Sequence, residues 1–461
     1  MKKTQIETPM KNDKANLTEG SEVITILKMA GGMLPGFAAM AAFNAIDTTF
    51  VGRLGTDNLA AMSFTFPVIM FLHSISFGLG VGLSSVVSRA IGEGNPHKVQ
   101  RLVTDGLILS FVTVFIVSMC GILTIRPLFG LLGAKDQVLD LVAQYMFIWY
   151  LGIPFVIIPM TGNNAIRATG DTLTPSLIML VAVVVNVIFD PLFIFGIGPF
   201  PEMGITGAAI ATVFSRFTSL IFSIGILTFR EKLILFKLPG QAELLTSWKQ
   251  IAFVAVPAGL VQTITPLSLG VITRLLAHYG EKVVAGFGAA GRVEMLAMMI
   301  PMSFATVMAP FSGQNWGARK IRRIITGLNF SGLVSTIWGG VVFLLALFFA
   351  EPVLAIFNSH DEVVQTGAIY LRMVSVSYGF LGILAIVSQS FNALNRPMES
   401  AGITIAKAFI LNIPLALLGA HLWQVSGIFT ATLVTNILTG VIAFVFLTVF
   451  LRRHDRTASV S

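Results

Sequence analysis

The sequence predicts an all-α membrane protein of twelve transmembrane helices, arranged as two homologous six-helix bundles. Three observations carry this expectation. Hydrophobic residues make up 55% of the 461 positions, charged residues only 11%, and mean hydropathy is +0.85. So much apolar surface exceeds what one core hides, and lipid must be the solvent for much of it. Long apolar runs recur along the whole chain, and the second half repeats features of the first at a nearly constant offset.

Crossing the hydrocarbon takes roughly 20 mostly apolar residues. Spans are predicted near 24–50, 59–86, 102–125, 138–160, 172–196, 205–229, 250–278, 283–311, 324–350, 362–388, 399–420 and 425–451. Pro and Gly interrupt many of them, which a bilayer tolerates when neighbouring groups re-satisfy the freed backbone. The predicted organisation is a polar N-terminal tail (1–23), a first bundle (24–229), a linker (230–249), a second bundle (250–451) and a short tail (452–461). The first residues hold Lys2, Lys3, Lys11 and Lys14 without the apolar core of a cleaved leader.

Net charge is +8, which by itself resembles a nucleic-acid signal. Its distribution argues otherwise. Of the 30 basic residues, 21 lie in the two tails (with Lys28) and the even-numbered connections, and four in the odd-numbered connections: Arg53, Arg126, Lys135 and Lys282. By the positive-inside rule both termini are cytosolic and the span count is even. No nucleic-acid partner is implied. The single cysteine, Cys120, rules out an intramolecular disulfide and a Cys-based metal site. No metal, cofactor or nucleotide is expected: Gly286-Phe287-Gly288-Ala289-Ala290-Gly291 fits GxGxxG but sits in a span without a βαβ unit.

At an offset of 225, Gly55 meets Gly280, Gly92 meets Gly317, Lys98 meets Arg323, Asp136 meets Asp361 and Tyr145 meets Tyr370. Asn186 meets Asn412 at 226, and Gly207 and Thr212 meet Gly427 and Thr432 at 220. A repeated unit of six spans keeps its orientation. The halves are then related by an axis along the membrane normal, an arrangement that suits alternating access to a site between them.

Ionisable groups inside spans are costly, at roughly 2.5–3.5 kcal/mol each on insertion scales, and usually functional. The first half has Asp47, Asp190 and Arg216. Asn44 and Asp47 share a helix face, as do Asn186 and Asp190, and Thr212 and Arg216. All fall in the outer half of the membrane. They are expected to share a pocket in which neighbouring carboxylates raise each other's proton affinity, although their oxygens also suit sodium. The competing reading is a static polar cluster that glues helices. The second half has Arg292, Glu294, Arg372 and Lys407 near the midplane, expected to form an ion-pair network that either sets bundle geometry or touches substrate.

Asn44-Ala45-Ile46-Asp47, Val51-Gly52-Arg53-Leu54-Gly55, Arg167-Ala168-Thr169-Gly170-Asp171-Thr172, Asn186-Val187-Ile188-Phe189-Asp190-Pro191, Gly207-Ala208-Ala209-Ile210-Ala211-Thr212 and Gln314-Asn315-Trp316-Gly317-Ala318 together resemble the multidrug and toxic compound extrusion (MATE) family of cation-coupled exporters. The likeness covers the chain after residue 24 and looks closest to the bacterial DinF-like branch. It implies two bundles facing a central cavity, ion coupling at Asp47, Asp190, Asn186 and Thr212, and Tyr145, Asn163, Asn44 and Arg216 at the cavity edge. One departure concerns a family proline before the first-span aspartate: that place is near Gly31-Gly32 here, and Pro35 lies later.

The resulting expectation is a monomeric multidrug exporter of the bacterial inner membrane. It would exchange amphipathic, often cationic compounds (drugs or toxic organic cations) for protons in preference to sodium. Two alternatives stay open, a lipid-linked saccharide flippase of related plan and an intramembrane aspartyl enzyme. A flippase is expected to line its cavity with several basic groups, and an enzyme needs a catalytic constellation beyond the Asp pair.

Overall fold

The structure is a computed structural model that describes residues 17–52, 56–237, 240–358 and 360–458, the side chains of 44–49, 51, 52, 56–60, 457 and 458 excepted. Its helices are α1 (Glu22–Gly52), α2 (Thr56–Gly92), α3 (Pro96–Leu131), α4 (Asp136–Gly152), α5 (Pro154–Ala168), α6 (Leu173–Ile194) and α7 (Gly204–Gly225) in the first half. The second half has α8 (Gln241–Ala277), α9 (Glu281–Ala297), α10 (Met299–Gly317), α11 (Ile321–Ala355), α12 (Asp361–Val374), α13 (Tyr378–Ala393), α14 (Pro397–Ile405) and α15 (Ile413–Ala458). Wide π turns extend α7 over Ile226–Arg230 and join α14 to α15 over Ala406–Asn412.

Among the described residues, nine helices or helix runs are long and apolar enough to cross a membrane, and two bent pairs, α4–α5 and α9–α10, bring the number to eleven. The longest run, Pro397–Arg456, has 60 residues, about three times the length a bilayer needs. It breaks at Trp423 (φ −134°, ψ 21°) and Gln424 (φ 51°, ψ −131°). Gly419 and Gly427 meet backbone to backbone across that break, where a Cβ on either would strike the other's carbonyl. Twelve spans result, in two six-helix bundles.

Both bends follow from proline. Pro154 and Pro301 carry no N–H for the carbonyls of Tyr150 and Ala297, four residues earlier. Remote donors take over: Ser118 Oγ donates to the Tyr150 carbonyl at 2.7 Å, and Trp338 Nε1 to that of Ala297 at 2.7 Å. The helices bend there by 41° and 50°. α3 starts on a side-chain cap, where Asn95 Oδ1 accepts the Lys98 amide at 3.0 Å ahead of Pro96.

α1 begins and α15 ends on one face of the array, the terminal side. Hydrogen bonds between the halves gather there and follow the internal repeat. Arg89 donates to the carbonyl of Ala393 at 3.1 Å, and Gln314, 225 residues after Arg89, donates to Ala168, 225 residues before Ala393, at 2.7 Å. A Cβ on Gly92 would collide with the carbonyl of Gln314, one on Gly317 with that of Arg89, and one on Gly313 with Ser88 Oγ. Equivalent residues of the two halves thus touch across a pseudo-twofold axis. The approach of α2 to α8 through Gly82, Gly78 and Gly259 continues the contact to mid-depth. The two halves are thus sealed against each other on the terminal side.

The start of α1 packs outside its own half. Ile26, Met29 and Met33 are buried with Phe304, Met308 and Phe311 of α10. Residues 17–22 cross the terminal side as a strap: Arg323 donates to the carbonyls of Leu17, Glu19 and Gly20 and pairs with Glu22 at 3.0 Å. Asn315 and Lys320 hold the carbonyls of Leu17 and Thr18. Hydrogen bonds to a charged donor contribute about 1.5–3 kcal/mol. Arg323→Ala is expected to lower the melting temperature in detergent by roughly 2–4 °C, read by thermal unfolding of the purified protein.

Candidate functional site

The polar groups of the first half lie on the faces of α6 and α7 that pack together. Asn186 and Asp190 are both fully buried, and Asn186 Nδ2 donates to Asp190 Oδ1 at 3.2 Å, as their i,i+4 spacing predicts. Thr212 is buried one helix away on α7. Aromatic packing of Phe189 against Phe214, with ring centroids 4.7 Å apart, fixes the register of α6 on α7. The side chains of Asn44 and Asp47 lie outside the described residues, so the predicted approach of Asp47 to Asp190 is not described. The backbone of α1 does run helically through both positions and packs along α6.

Arg216, one turn beyond Thr212, reaches α1. Its guanidinium carbon sits 5.1 Å from the ring centroid of Phe43, the residue before Asn44. Tyr145 and Asn163 are buried on α4 and α5. The amide oxygens of Asn163 and Asn186 are buried without a hydrogen-bond partner among the described residues. Orphaned oxygens of this kind are uncommon and mark places that take a water or an ion.

His73 on α2 was not picked out by the sequence reading, being one of six scattered histidines. Its ring lies edge-on to Trp149, 6.2 Å between centroids, and within electrostatic reach of Arg216. Nothing in its local sequence sets it apart.

In the second half the expected four-member network divides. Glu294 Oε2 accepts hydrogen bonds from Tyr370 at 2.7 Å and Tyr378 at 3.1 Å, and Lys407 lies within electrostatic reach. Tyr370 is the repeat partner of Tyr145, and Phe287 and Phe429 wedge it in place, each edge-on to its ring. Arg372 pairs instead with Glu351 near the end of α11, at 3.0 Å. Arg292 is exposed on another face of α9. Depth alone suggested a shared network; the azimuth of each residue on its helix separates them. Lys407 stands on the π turn 406–412, where Asn412, the repeat partner of Asn186, also has an unpartnered amide oxygen. Such turns are frequent at functional positions.

Among the described residues no group of three or more His, Cys, Asp or Glu could hold a metal. The first-half site offers a buried carboxylate, amides and a hydroxyl, oxygen donors of the kind that suit a proton or a small hard cation.

Comparison with known proteins agrees with this architecture. The MatE family profile matches twice, over residues 35–192 and 257–418, once in each half. The chain is 37% identical to the FAD transporter of Shewanella oneidensis over 91% of its own length and 93% of that protein's. It is 24% identical to the multidrug export protein MepA of Staphylococcus aureus, covering 98% and 99% of the two chains. The Vibrio cholerae MATE transporter VcmN in its bent form superposes with a TM-score of 0.88 at 28% identity, covering 95% of this chain and 98% of that one. An outward-facing multidrug resistance MATE transporter shares the fold with a TM-score of 0.89 at 24% identity, covering 96% and 99%. With its paired halves, polar first-half site and two profile matches, the chain belongs to the MATE family of membrane transporters and is not an enzyme.

Proposed function

We propose that this protein is a secondary antiporter that exports amphipathic organic compounds in exchange for a cation, with protons favoured over sodium. The observation that carries the reading is the fully buried Asp190, hydrogen-bonded to Asn186 about 25 Å along α6 from the terminal side. A carboxylate there is too costly to keep without use. It lies late in α6, on the side away from the terminal seal, and in this reading exchanges its ion with the compartment there. Asp47 belongs to the same site in this reading, and Thr212 and Tyr145 border it.

The excess of basic residues on the terminal side supports a reading with that side in the cytosol of a bacterial cell and the opposite side outside. Protonation from outside would neutralise the carboxylate and favour the state that releases cargo. Deprotonation toward the cytosol would restore the cargo-binding state. The cycle works only if each ligand binds the two states differently.

Two cargo classes are in view. Organic cations suit the acidic site of the first half. The relationship to a FAD transporter adds flavin adenine dinucleotide, a large amphipathic anion. The test is transport by purified protein in proteoliposomes under an imposed proton gradient, then an imposed sodium gradient. The expected result is cargo accumulation driven by the proton gradient. Accumulation driven by sodium alone would reassign the ion, and equal flux with and without any gradient would end the antiport reading.

A further inference from the structure

The acidic groups of this transporter attract attention, yet the residue most in want of a ligand is basic. Arg292 lies eleven residues into α9, about 16 Å from its exposed first turn at Glu281 and Lys282, and so near the bilayer midplane. At that depth its stem is too short to carry the guanidinium to the interface, and an arginine facing lipid would be strongly disfavoured. It is exposed nonetheless, and it has no hydrogen-bond or ion-pair partner among the described residues. Glu294, two residues on, points elsewhere: its Oε2 is held by Tyr370 and Tyr378.

Helix register says what Arg292 faces. Gly317 follows it by 25 residues, close to seven turns, along a rod whose single break is the 50° bend at Met298. Gly317 packs on the Arg89 carbonyl of the first half, and Gly313, a turn earlier, on Ser88. The face of α9 that carries Arg292 therefore continues, above the seal, the face of α10 that meets the first half. On that register it looks toward the first half. Beside Arg292 the wall is bare: a Cβ on Gly288 or Gly291 would meet nothing within 4 Å, and Met295 on the same face is half exposed. A flat or apolar group has room there next to the guanidinium.

We infer that Arg292 is a cargo contact, the guanidinium that binds a phosphate or carboxylate group of an amphipathic anion held between the halves. A planar guanidinium donates two parallel, charge-assisted hydrogen bonds to such a group. This deepens the exporter reading and rests on it, since it names the chemical class of cargo taken at the second-half wall. It also gives the transporter two walls of opposite character, acids for the coupling ion and a base for the cargo.

The test compares three probes in proteoliposomes: flavin adenine dinucleotide, riboflavin (the same ring system without phosphate) and a cationic rhodamine dye. Arg292→Gln is expected to raise the KM for the dinucleotide by about tenfold or more, with Arg292→Lys intermediate, and to leave riboflavin and the dye within about twofold of wild type. Equal losses for all three probes would overturn the inference in favour of a structural role, as would unchanged handling of the dinucleotide. Wild-type protein that moves the dye but no phosphate- or carboxylate-bearing probe would overturn it while leaving the exporter reading intact. Should the wild type move nothing under any gradient, the exporter reading fails. Thermal stabilisation by the dinucleotide, present in wild type and lost in Arg292→Gln, then still decides for the contact, and its absence from wild type decides against.

Discussion

Asp190→Asn is expected to abolish gradient-driven accumulation while leaving the protein folded and in the membrane. An amide is isosteric with the carboxylate and still pairs with Asn186, but it cannot carry a proton. One proton moved down a gradient of one pH unit supplies about 1.4 kcal/mol, a tenfold concentration ratio. A single coupled proton at two units sets a ceiling of about 100-fold accumulation, and the variant should fall to simple equilibration. Exchange of labelled for unlabelled cargo without a gradient is expected to persist, which separates uncoupling from misfolding. Accumulation at the wild-type level by the Asn variant would remove Asp190 from the mechanism. Asp47→Asn is expected to behave alike, and in cells to lose drug resistance with membrane expression intact.

The second large effect is expected at the seal. Gly92→Ala and Gly317→Ala each add one methyl group that lands on a backbone carbonyl of the other half. Alanine is the better helix former, so any harm must come from the crossing and not from helix propensity. Overpacking of this kind costs about 1–3 kcal/mol, here charged to the state closed on the terminal side, which moves the balance of states by roughly 5- to 150-fold. With Cys120→Ser as background, Ser85→Cys on the sealed surface should react faster with an impermeant maleimide applied from the terminal side. Transport should fall with it. Because the two glycines are repeat partners in one crossing, the double variant should show less than the sum of the single effects. Unchanged labelling and transport in both variants would mean that the seal is looser than its packing indicates.

Much of this fold was legible in the chain. Hydropathy alone placed the spans, and the offset of 225 gave the repeat, although that Gly92 and Gly317 lie at the contact between the halves was not legible in it. What escaped depends on partners remote in sequence. Pro154 and Pro301 are visible as prolines, but only Ser118 and Trp338, on other helices, allow their freed carbonyls to sit at a bend. The break at Trp423-Gln424 shortened a continuous apolar run no more than expected, since the spans near 399–420 and 425–451 already parted there. The second-half charges were ranked by depth, and depth carries no azimuth. Glu351, placed just beyond a predicted span, proved to be the partner of Arg372, and Glu294 found tyrosines. Of the first-half site, the Asn186–Asp190 hydrogen bond followed from spacing on one helix. The side chain of Asp47 lies outside the described residues.

The strap at residues 17–22 has a consequence for how this region tolerates variation. Arg323, Asn315 and Lys320 grip peptide carbonyls of Leu17, Thr18, Glu19 and Gly20, so most of that grip is blind to side-chain identity. Leu17, its side chain fully buried, and Thr18, whose hydroxyl also meets Lys320, are the exceptions. Amino-acid swaps at Glu19 should therefore pass almost unnoticed, whereas removing a single residue there would shift every carbonyl out of step with its donor. For this stretch, length is the inherited message and spelling is nearly free.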